Sequence, residues 1–261
     1  MDLKYTLSGF IYISPEDDCN AIVDAMLASD YDGDFCIAEG FDPEFTKRLM
    51  EAGFLVMSVN IAENGSEPYY IMLPKLHLIR SALFFENLHI KKSVRRFLNL
   101  YELKADAEFD CILDRCVEKH GGDWLTPPLV DCIKKIRQNA ISNQIVSPDP
   151  GSSLIRTFDS TSNYSFLIPN SSFAYPASFA LYRDGNLVAG EFGIVCGRVY
   201  TSYSGFYEED NAGTVQLILA TQYLQERGFS FFDMGMPLDY KTDLGAVDIS
   251  PQEFVELFRS K

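Results

Sequence analysis

The sequence predicts an α/β (α+β) protein in which a smaller α/β domain precedes a larger, sheet-based domain. In the first part of the chain, apolar residues at helical spacing alternate with short apolar runs. The second part has longer strand-like runs separated by turn residues. The chain has 261 residues and is 47% hydrophobic, enough to bury a sizeable core. We therefore predict an N-terminal α/β domain at 1–100 and a second domain at 101–261.

Capping residues predict the helices of the first half. Ser14-Pro15-Glu16 and Asp42-Pro43-Glu44 each place a capping side chain before a proline at the first helical position. Further helices are expected from Phe109 to Gly121 and after Thr126. Short apolar runs at 54–58 and 69–73 predict strands between them. Residues 142–171 are rich in Ser, Pro and Asn, and predict a long irregular segment.

The second half predicts a sheet around one tight hairpin. Asp184-Gly185 is a strong two-residue turn signal between two apolar runs. The predicted elements are strands at 178–183, 186–195 and 198–204, a helix from Asn211 to Gly228, and a strand at 229–233. Three antiparallel strands, a helix and a returning strand are the core of an acetyltransferase-like (GNAT) domain. We therefore predict a GNAT-like acyltransferase domain.

The charge distribution is uneven. With 22 Lys and Arg against 37 Asp and Glu, the net charge of −15 argues against broad nucleic-acid binding. Six cations nevertheless lie within 22 residues, opposed only by Glu86: Lys75, Arg80, Lys91, Lys92, Arg95 and Arg96. This basic run is either a solvated helix face or a local surface for phosphate groups.

Cysteine and histidine usage gives no indication of a metal site. The six cysteines include no C-x-x-C pair, and the three histidines are not spaced as metal ligands. No apolar run approaches the ~20 residues of a membrane span, and the N-terminus lacks a signal-peptide pattern. We expect a cytoplasmic protein with no metal, no organic cofactor and no membrane association.

Most familiar chemistries are disfavoured by the second half. Glu208, Glu209 and Asp210 enter the central helix where an acetyl-CoA pyrophosphate would need free amides, so N-acetyl transfer is an alternative only. No G-x-S-x-G elbow, Walker motif or dinucleotide fingerprint is present. Acyl transfer by positioning an activated ester beside an amine remains. Asp233, at the end of an apolar strand, is the candidate carboxylate for the amine, and its alternative interpretation is a turn aspartate.

Several motifs follow one another along the chain. They are Glu39-Gly40-Phe41-Asp42-Pro43-Glu44, Leu88-His89-Ile90-Lys91-Lys92-Ser93, Asp123-Trp124-Leu125-Thr126, Leu187-Val188-Ala189-Gly190, and Asp233 followed by Leu244-Gly245-Ala246. Their order resembles that of the leucyl/phenylalanyl-tRNA–protein transferase family. The resemblance implies transfer of leucine or phenylalanine from tRNA to proteins with N-terminal arginine or lysine, which marks them for degradation as an N-degron.

The resemblance also implies roles for individual residues. The basic run would face the tRNA, and Trp124 would line the site for the terminal adenosine or aminoacyl group. Asp233, Tyr203 and Ser204 are the implied catalytic residues. The implied substrate-binding residues are Glu191, Trp124, Tyr69, Tyr70, Tyr200 and Gly235.

Three positions depart from the family pattern. Gly235 stands where the family has a glutamine after its aspartate, Tyr203 where it has a glutamate, and Glu191 where it has a methionine. Two hypotheses follow. Either the enzyme acts on a changed donor, with Glu191 selecting a polar or cationic side chain, or the fold persists as a catalytically inactive tRNA- or peptide-binding module.

Overall fold

Two β-sheets organise the chain, as seen in a computed structural model that describes residues 2–29, 31–63, 65–146 and 173–260. The first sheet has the order β1-β2-β3-β5-β4, with strands β1 Lys4–Tyr5, β2 Ile11–Ile13, β3 Cys36–Ala38, β4 Leu55–Asn60 and β5 Tyr70–Lys75. The second has the order β12-β6-β11-β10-β9-β8-β7, with strands β6 Arg80–Leu83, β7 Glu102–Ala105, β8 Ala174–Arg183, β9 Asn186–Cys196, β10 Val199–Tyr207, β11 Phe231–Asp233 and β12 Val247–Ile249.

Eight α-helices accompany these sheets in the described ranges. They are α1 Cys19–Ala28, α2 Pro43–Glu51, α3 Lys92–Arg95, α4 Phe109–His120, α5 Pro127–Val146, α6 Ala212–Glu226, α7 Asp239–Asp243 and α8 Pro251–Arg259. None of the helices in this described part is long and apolar enough to cross a bilayer. Helix α5 continues through residues 142–146, where the sequence predicted an irregular segment, and the remainder of that segment, 147–171, lies outside the described residues.

The capping predictions succeed for α2 and fail for α1. Asp42 accepts a hydrogen bond from the Phe45 amide, and Pro43 is the first helical residue, as predicted. In contrast, α1 begins at Cys19, with Asp18 as its cap. Ser14 does not cap a helix because its amide and hydroxyl both donate to the Asp17 carboxylate, which forms a separate turn before α1.

The predicted α/β class and GNAT-like strand order are confirmed by the second sheet. Strands β8, β9 and β10 are antiparallel neighbours, and β11 returns parallel to β10 after α6. Asp184 and Gly185, with φ of 49° and 80°, form the predicted turn between β8 and β9.

The boundary between the two sheets lies earlier in the chain than residue 100. Strand β6 belongs to the second sheet, so the change of sheet falls between Lys75 and Arg80. Buried side chains from both sheets, including Met26 and Phe192, also form one continuous hydrophobic cluster. The two units therefore pack through a shared core.

Strand β4 is the edge of the first sheet that meets the second unit. On the side away from β5, its Val56 amide donates to the Tyr203 hydroxyl at 3.0 Å, and its Ser58 amide donates to the Trp124 carbonyl at 2.9 Å. These contacts cover an otherwise unpaired strand edge. They also fix where Tyr203 and Trp124 lie relative to the first sheet.

Strands β10 and β11 pair only briefly and then separate. The pairing covers Val199–Thr201 and ends where β11 ends, at Asp233. Strand β10 continues to Tyr207, and a β-bulge shifts its register between Ser202 and Ser204. Within the described residues, 202–207 of β10 thus have no strand partner on this side, and we call them the splayed edge. β-Bulges are common beside active sites because they redirect side chains.

Candidate functional site

The predicted site residues are divided between the two faces of the second sheet. Tyr200 and Thr201 are consecutive in β10, so their side chains point to opposite faces. Thr201 donates to Asp233, whereas the Tyr200 ring packs 5.3 Å from that of Phe232 in the core beneath α6. The structure therefore places Asp233 and Tyr200 in separate environments, which we describe in turn.

On the first face, the Asp233 carboxylate is completely enclosed. It is 0% exposed, and Arg80 binds it with both nitrogens of one guanidinium edge, Nε to Oδ1 at 3.0 Å and Nη2 to Oδ2 at 2.9 Å. The Thr201 hydroxyl donates to Oδ2 at 2.8 Å, and the Gly235 amide donates to Oδ1 at 3.0 Å. We call Asp233, Arg80, Thr201 and Gly235 the Asp233 cluster. Its contacts hold β6, β10 and β11 together at the start of the splayed edge.

Arg80 and Lys75 lie in the interior, which corrects their prediction as surface residues for tRNA. Arg80 is 1% exposed, donates to the Gly53 carbonyl at 2.9 Å, and lies 3.8 Å from the centre of the Phe254 ring. Lys75 is buried and pairs with Asp34 at 2.9 Å. Arg80 pairs with the buried Asp233 and Lys75 with the partly exposed Asp34, so neither presents its charge to a phosphate.

Tyr203 and Ser204 lie at the bulge, with their side chains toward the first sheet and α4. Tyr203 accepts the Val56 amide, and burial raises the pKa of its hydroxyl. Ser204 is buried and hydrogen-bonds to the thiol of Cys116 in α4. Both residues therefore share the face of the Asp233 cluster, as the implied catalytic grouping requires, but each is already engaged within the fold.

On the opposite face, Glu191 is the centre of a second polar group. It is 2% exposed, and its Oε2 accepts from Gln216 Nε2 of α6 at 3.1 Å. Burial raises its pKa to about 7, against the lowering effect of Ser202, Gln216, Lys241 and Tyr200. We call Glu191, Tyr200, Ser202 and Gln216 the Glu191 cluster.

Two polar atoms of the Glu191 cluster are buried without a hydrogen bond in the described part of the chain. They are Oε1 of Glu191 and the hydroxyl oxygen of Tyr200. Buried polar atoms are nearly always paired, because leaving one unpaired costs about 1–3 kcal/mol. Tyr200 and Ser202 nevertheless act on the Glu191 carboxyl through side-chain hydrogen bonds that lower its pKa, so the two atoms face each other within the cluster.

Helix α7 brings a buried cation toward the Glu191 cluster. Lys241 Nζ donates to the carbonyls of Met234 at 2.5 Å and Met236 at 2.7 Å. Burial lowers its pKa to about 8, against the raising effect of Asp233 and Glu191. The half-exposed Tyr240 beside it has a pKa raised to about 12 by burial and by the Glu191 charge. The sequence interpretation missed both Gln216 and Lys241. A glutamine on the apolar face of α6 was the available signal for Gln216, and Lys241 had none.

The aromatic residues predicted to bind substrate lie along β4. Trp124 is partly buried and contacts Ser58, two residues from Val56, which places it about 7 Å along the strand from the Tyr203 contact. Tyr70 pairs with Asn60 at the far end of β4, and the exposed Tyr69 precedes it. Trp124 is thus brought near Tyr203, whereas Tyr70, in β5, and the preceding Tyr69 lie opposite the far end of β4.

The remaining cations of the basic run are exposed around α3. We call Lys91, Lys92, Arg95 and Arg96 the basic surface. Lys91 pairs with Asp243, at the end of α7, with 2.6 Å between Nζ and Oδ2. The basic surface therefore adjoins the helix that carries Tyr240 and Lys241.

Within the described residues, no group of three or more His, Cys, Asp or Glu side chains is arranged to hold a metal ion. The two polar clusters instead offer hydrogen bonds and charge. The fold and these clusters define a GNAT-like α/β protein with a buried polar centre on each face of its main sheet.

Comparison with known proteins confirms the predicted family resemblance. The family model described as leucyl/phenylalanyl-tRNA protein transferase matches residues 164–259. A leucyl/phenylalanyl-tRNA–protein transferase from Pseudomonas putida (strain W619) is 24% identical over 182 residues, which are 68% of this chain and 66% of that protein. The enzyme of that name from Flavobacterium johnsoniae is 21% identical over 239 residues, covering 89% of this chain and 93% of the relative.

Solved structures give weaker likenesses. FemX aligns with 98% of this chain and 85% of its own at 10% identity and a TM-score of 0.41. The C-terminal domain of a lysylphosphatidylglycerol synthetase from Agrobacterium fabrum aligns with 99% and 74%, at 11% identity and a TM-score of 0.34.

Proposed function

We propose that this protein transfers an aminoacyl group from aminoacyl-tRNA to the N-terminal amine of a protein or peptide. The observation that carries the proposal is the family match over residues 164–259, because that segment contains β9, β10 and β11. Both polar clusters of the second sheet and the splayed edge are built mainly from these strands.

The reaction needs alignment more than it needs a strong nucleophile. The amine attacks the ester carbonyl of the aminoacyl-tRNA, a C–N bond forms and the C–O bond to the tRNA breaks. The amine loses a proton, and the departing 3′-oxygen gains one. Holding the ester and amine in register can supply about 7–11 kcal/mol of the barrier, so no metal or organic cofactor is invoked.

The contacts of Asp233 support a positioning role within this proposal. Its carboxylate holds Thr201 of β10 and the Gly235 amide after β11, at the point where the two strands separate. Direct contact between the Asp233 carboxylate and the substrate amine requires the ion pair with Arg80 to open. That catalytic role of Asp233 stays a prediction. Tyr203 and Ser204 would act beside it as hydrogen-bonding groups at the bulge.

The surface charges fit both proposed substrates. The basic surface offers four exposed cations to the tRNA phosphates beside α7. The chain as a whole is strongly acidic, with a net charge of −15, which favours an acceptor whose N-terminus is arginine or lysine. In this proposal the product is a protein marked for degradation in the cytoplasm.

The test is a transfer assay with a pool of charged tRNAs and two acceptor peptides, one beginning with arginine and one with an acetylated arginine. We expect amino-acid incorporation only into the peptide with a free amine. The Asp233→Asn variant should lose transfer, whereas Asp114→Asn, on an exposed aspartate of α4, should keep it. Because Asp233→Asn also perturbs a buried ion pair, its folding is checked by circular dichroism at the assay temperature.

Two other results would replace the proposal. If tRNA or peptide binds but no donor is transferred, the chain is the inactive binding module. That alternative is favoured because the buried Asp233 carboxylate is already bound by Arg80, Thr201 and Gly235. If acetyl-CoA raises the melting temperature and acetylates the free-amine peptide, the chain is an N-acetyltransferase.

A further inference from the structure

We infer that Lys241 is a positioning residue of the reaction centre, which holds the turn after β11 so that the Gly235 amide stays against the Asp233 carboxylate. This inference rests on the proposed function and adds a residue to the same reaction centre. We call Met234, Gly235 and Met236 the β11 turn. The inference is carried by the two carbonyls that Lys241 binds, by the peptide unit between them, and by the anchoring of the turn and of α7.

The first feature is the pair of backbone carbonyls that Lys241 binds. Its Nζ donates to the Met234 carbonyl at 2.5 Å and to the Met236 carbonyl at 2.7 Å. These carbonyls come before and after Gly235 in the chain, so one ammonium group joins both ends of the β11 turn. Lys241 is only 6% exposed, and water therefore competes little for these hydrogen bonds. Hydrogen bonds from a cation are also stronger than those between neutral groups.

The second feature is the peptide unit between Met234 and Gly235. A peptide unit is planar, and in its trans form the C=O and the N–H point in opposite directions. Lys241 binds the C=O of this unit, and Asp233 Oδ1 accepts its N–H at 3.0 Å. A rotation of the unit that breaks one of these contacts therefore also breaks the other. Through this one peptide unit, Lys241 fixes the amide that binds the Asp233 carboxylate.

The third feature is the support of the β11 turn by neighbouring strands, which comes from one side only. On the side of β6, the Ser81 amide donates to the Gly235 carbonyl at 2.7 Å, and the Ser81 carbonyl accepts the Met234 amide at 2.9 Å. On the side of β10, strand pairing ends at Asp233, so within the described ranges the turn has no strand partner there. Lys241 supplies the further restraint that β10 does not give.

Helix α7 gives Lys241 a fixed base. Gly245, two residues after α7, packs so closely on the chain at Asn87 that a Cβ at Gly245 would overlap the Asn87 carbonyl oxygen. The Leu244 carbonyl accepts the His89 amide at 2.9 Å. His89 comes two residues before the basic surface, so α7 is fastened at one end to the proposed tRNA contact and, through Lys241, to the β11 turn.

The experiment compares the full chain with its Lys241→Met variant by two measurements. Hydrogen exchange followed by mass spectrometry reports the protection of the β11 turn, in fragments that cover residues 231–238. Steady-state transfer from charged tRNA to the free-amine peptide gives kcat and KM. In Lys241→Met we expect exchange in these fragments to be about tenfold faster, because the turn opens locally. We also expect kcat to fall about tenfold or more, with KM for the aminoacyl-tRNA nearly unchanged, because the basic surface is intact. Lys241→Arg keeps a cation at this position and should recover most of the protection and of kcat.

The matched control is Arg137→Met. Arg137 is also a largely buried cation, and it donates to the Asp106 carboxylate and to the Pro176 carbonyl of β8, two strands away from β10. Its loss should lower the melting temperature while the exchange of residues 231–238 and kcat stay at the wild-type level. If Lys241→Met does not fold, Lys241→Gln takes its place, since it keeps N–H donors without the charge, and changes in the same direction are expected.

The two measurements separate this inference from the proposed function. Unchanged exchange in Lys241→Met shows that Lys241 does not hold the turn, and overturns the inference even if the wild-type protein is an active transferase. Faster exchange with unchanged kcat, or an equal loss of kcat in Arg137→Met, overturns the role of Lys241 in the reaction. A wild-type protein that transfers from no charged tRNA overturns the proposed function, whereas the exchange result alone decides whether Lys241 holds the turn. Thermal melting of each variant establishes that it is folded.

Discussion

Replacing Arg80 with methionine removes the cation from a fully buried ion pair and leaves the Asp233 carboxylate behind. Arg80 is 1% exposed and Asp233 is 0% exposed, so water cannot take the place of the lost guanidinium. The substitution also removes the hydrogen bond to the Gly53 carbonyl and the contact with the Phe254 ring. Methionine has a similar length and apolar character, which keeps the loss of packing small.

The expected cost is about 3–5 kcal/mol in the free energy of unfolding, the range for removing one partner of a buried pair. For a chain of this size each kcal/mol lowers the melting temperature by about 2–4 °C, so we expect a decrease of about 6–20 °C. The assay is thermal and urea unfolding followed by circular dichroism. The matched control is Lys91→Met, whose pair with Asp243 is about half exposed on both sides and should change stability by less than about 1 kcal/mol.

A double variant tests whether the ion pair itself is responsible. Combining Arg80→Met with Asp233→Leu removes both charges, and we expect it to be more stable than Arg80→Met alone because no charge stays buried and unpaired. If Arg80→Met is no less stable than Lys91→Met, or if the double variant shows no recovery, then the enclosed ion pair does not hold these strands together.

Two further predictions concern pH and salt. Burial raises the pKa of Glu191 from its ordinary value of 4.5 to about 7 in the folded protein, so ionisation of Glu191 destabilises the fold as pH rises through that window, by on the order of 3 kcal/mol in all. Urea unfolding at pH 4.5 and pH 8 should show Glu191→Gln gaining stability over wild type only at the higher pH. An equal difference in stability at both pH values would contradict this prediction. His77, whose pKa burial lowers to about 2, is present in both proteins, so its titration cancels in the comparison. Neutralising Lys92 and Arg95 should reduce the log–log salt slope of tRNA binding by about 1.4–1.8, whereas Lys104→Gln, outside the basic surface, should leave it unchanged. An unaltered slope in the double variant would place the tRNA elsewhere.

Local signals in the sequence were sufficient to predict the central part of the second sheet, strands β8 to β11, but not β6, β7 and β12. The Asp184-Gly185 turn and the apolar runs around it depend on residues close together in the chain, and the hairpin follows from them. The cap of α2 was predicted for the same reason. The cap predicted for α1 failed because the Asp17 carboxylate accepts hydrogen bonds from both the amide and the hydroxyl of Ser14, so Ser14 takes part in a turn instead of capping the helix.

Long-range pairing explains what the sequence interpretation of the site missed. Arg80 was grouped with its charged neighbours in the chain, but its partner Asp233 is 153 residues away. Gln216 similarly meets Glu191 only because α6 packs on that face of the sheet. The type of each residue was visible in the sequence. The folded topology decides which carboxylate pairs with a cation and which one meets mainly neutral hydrogen-bonding groups.

The two polar clusters are coupled through strand β10. Thr201 joins the Asp233 cluster on one face, and its neighbours Tyr200 and Ser202 join the Glu191 cluster on the other. A rigid contact at Thr201 therefore fixes the backbone from which both neighbours project, at the point where the splayed edge begins. If this is the function of the ion pair, a partial weakening such as Arg80→Lys should reduce the rate of aminoacyl transfer along with stability. Glu191→Gln, in contrast, should leave the contacts of the Asp233 cluster intact, because the two clusters lie on opposite faces of the same strand. Single substitutions can therefore separate the contributions of the two faces.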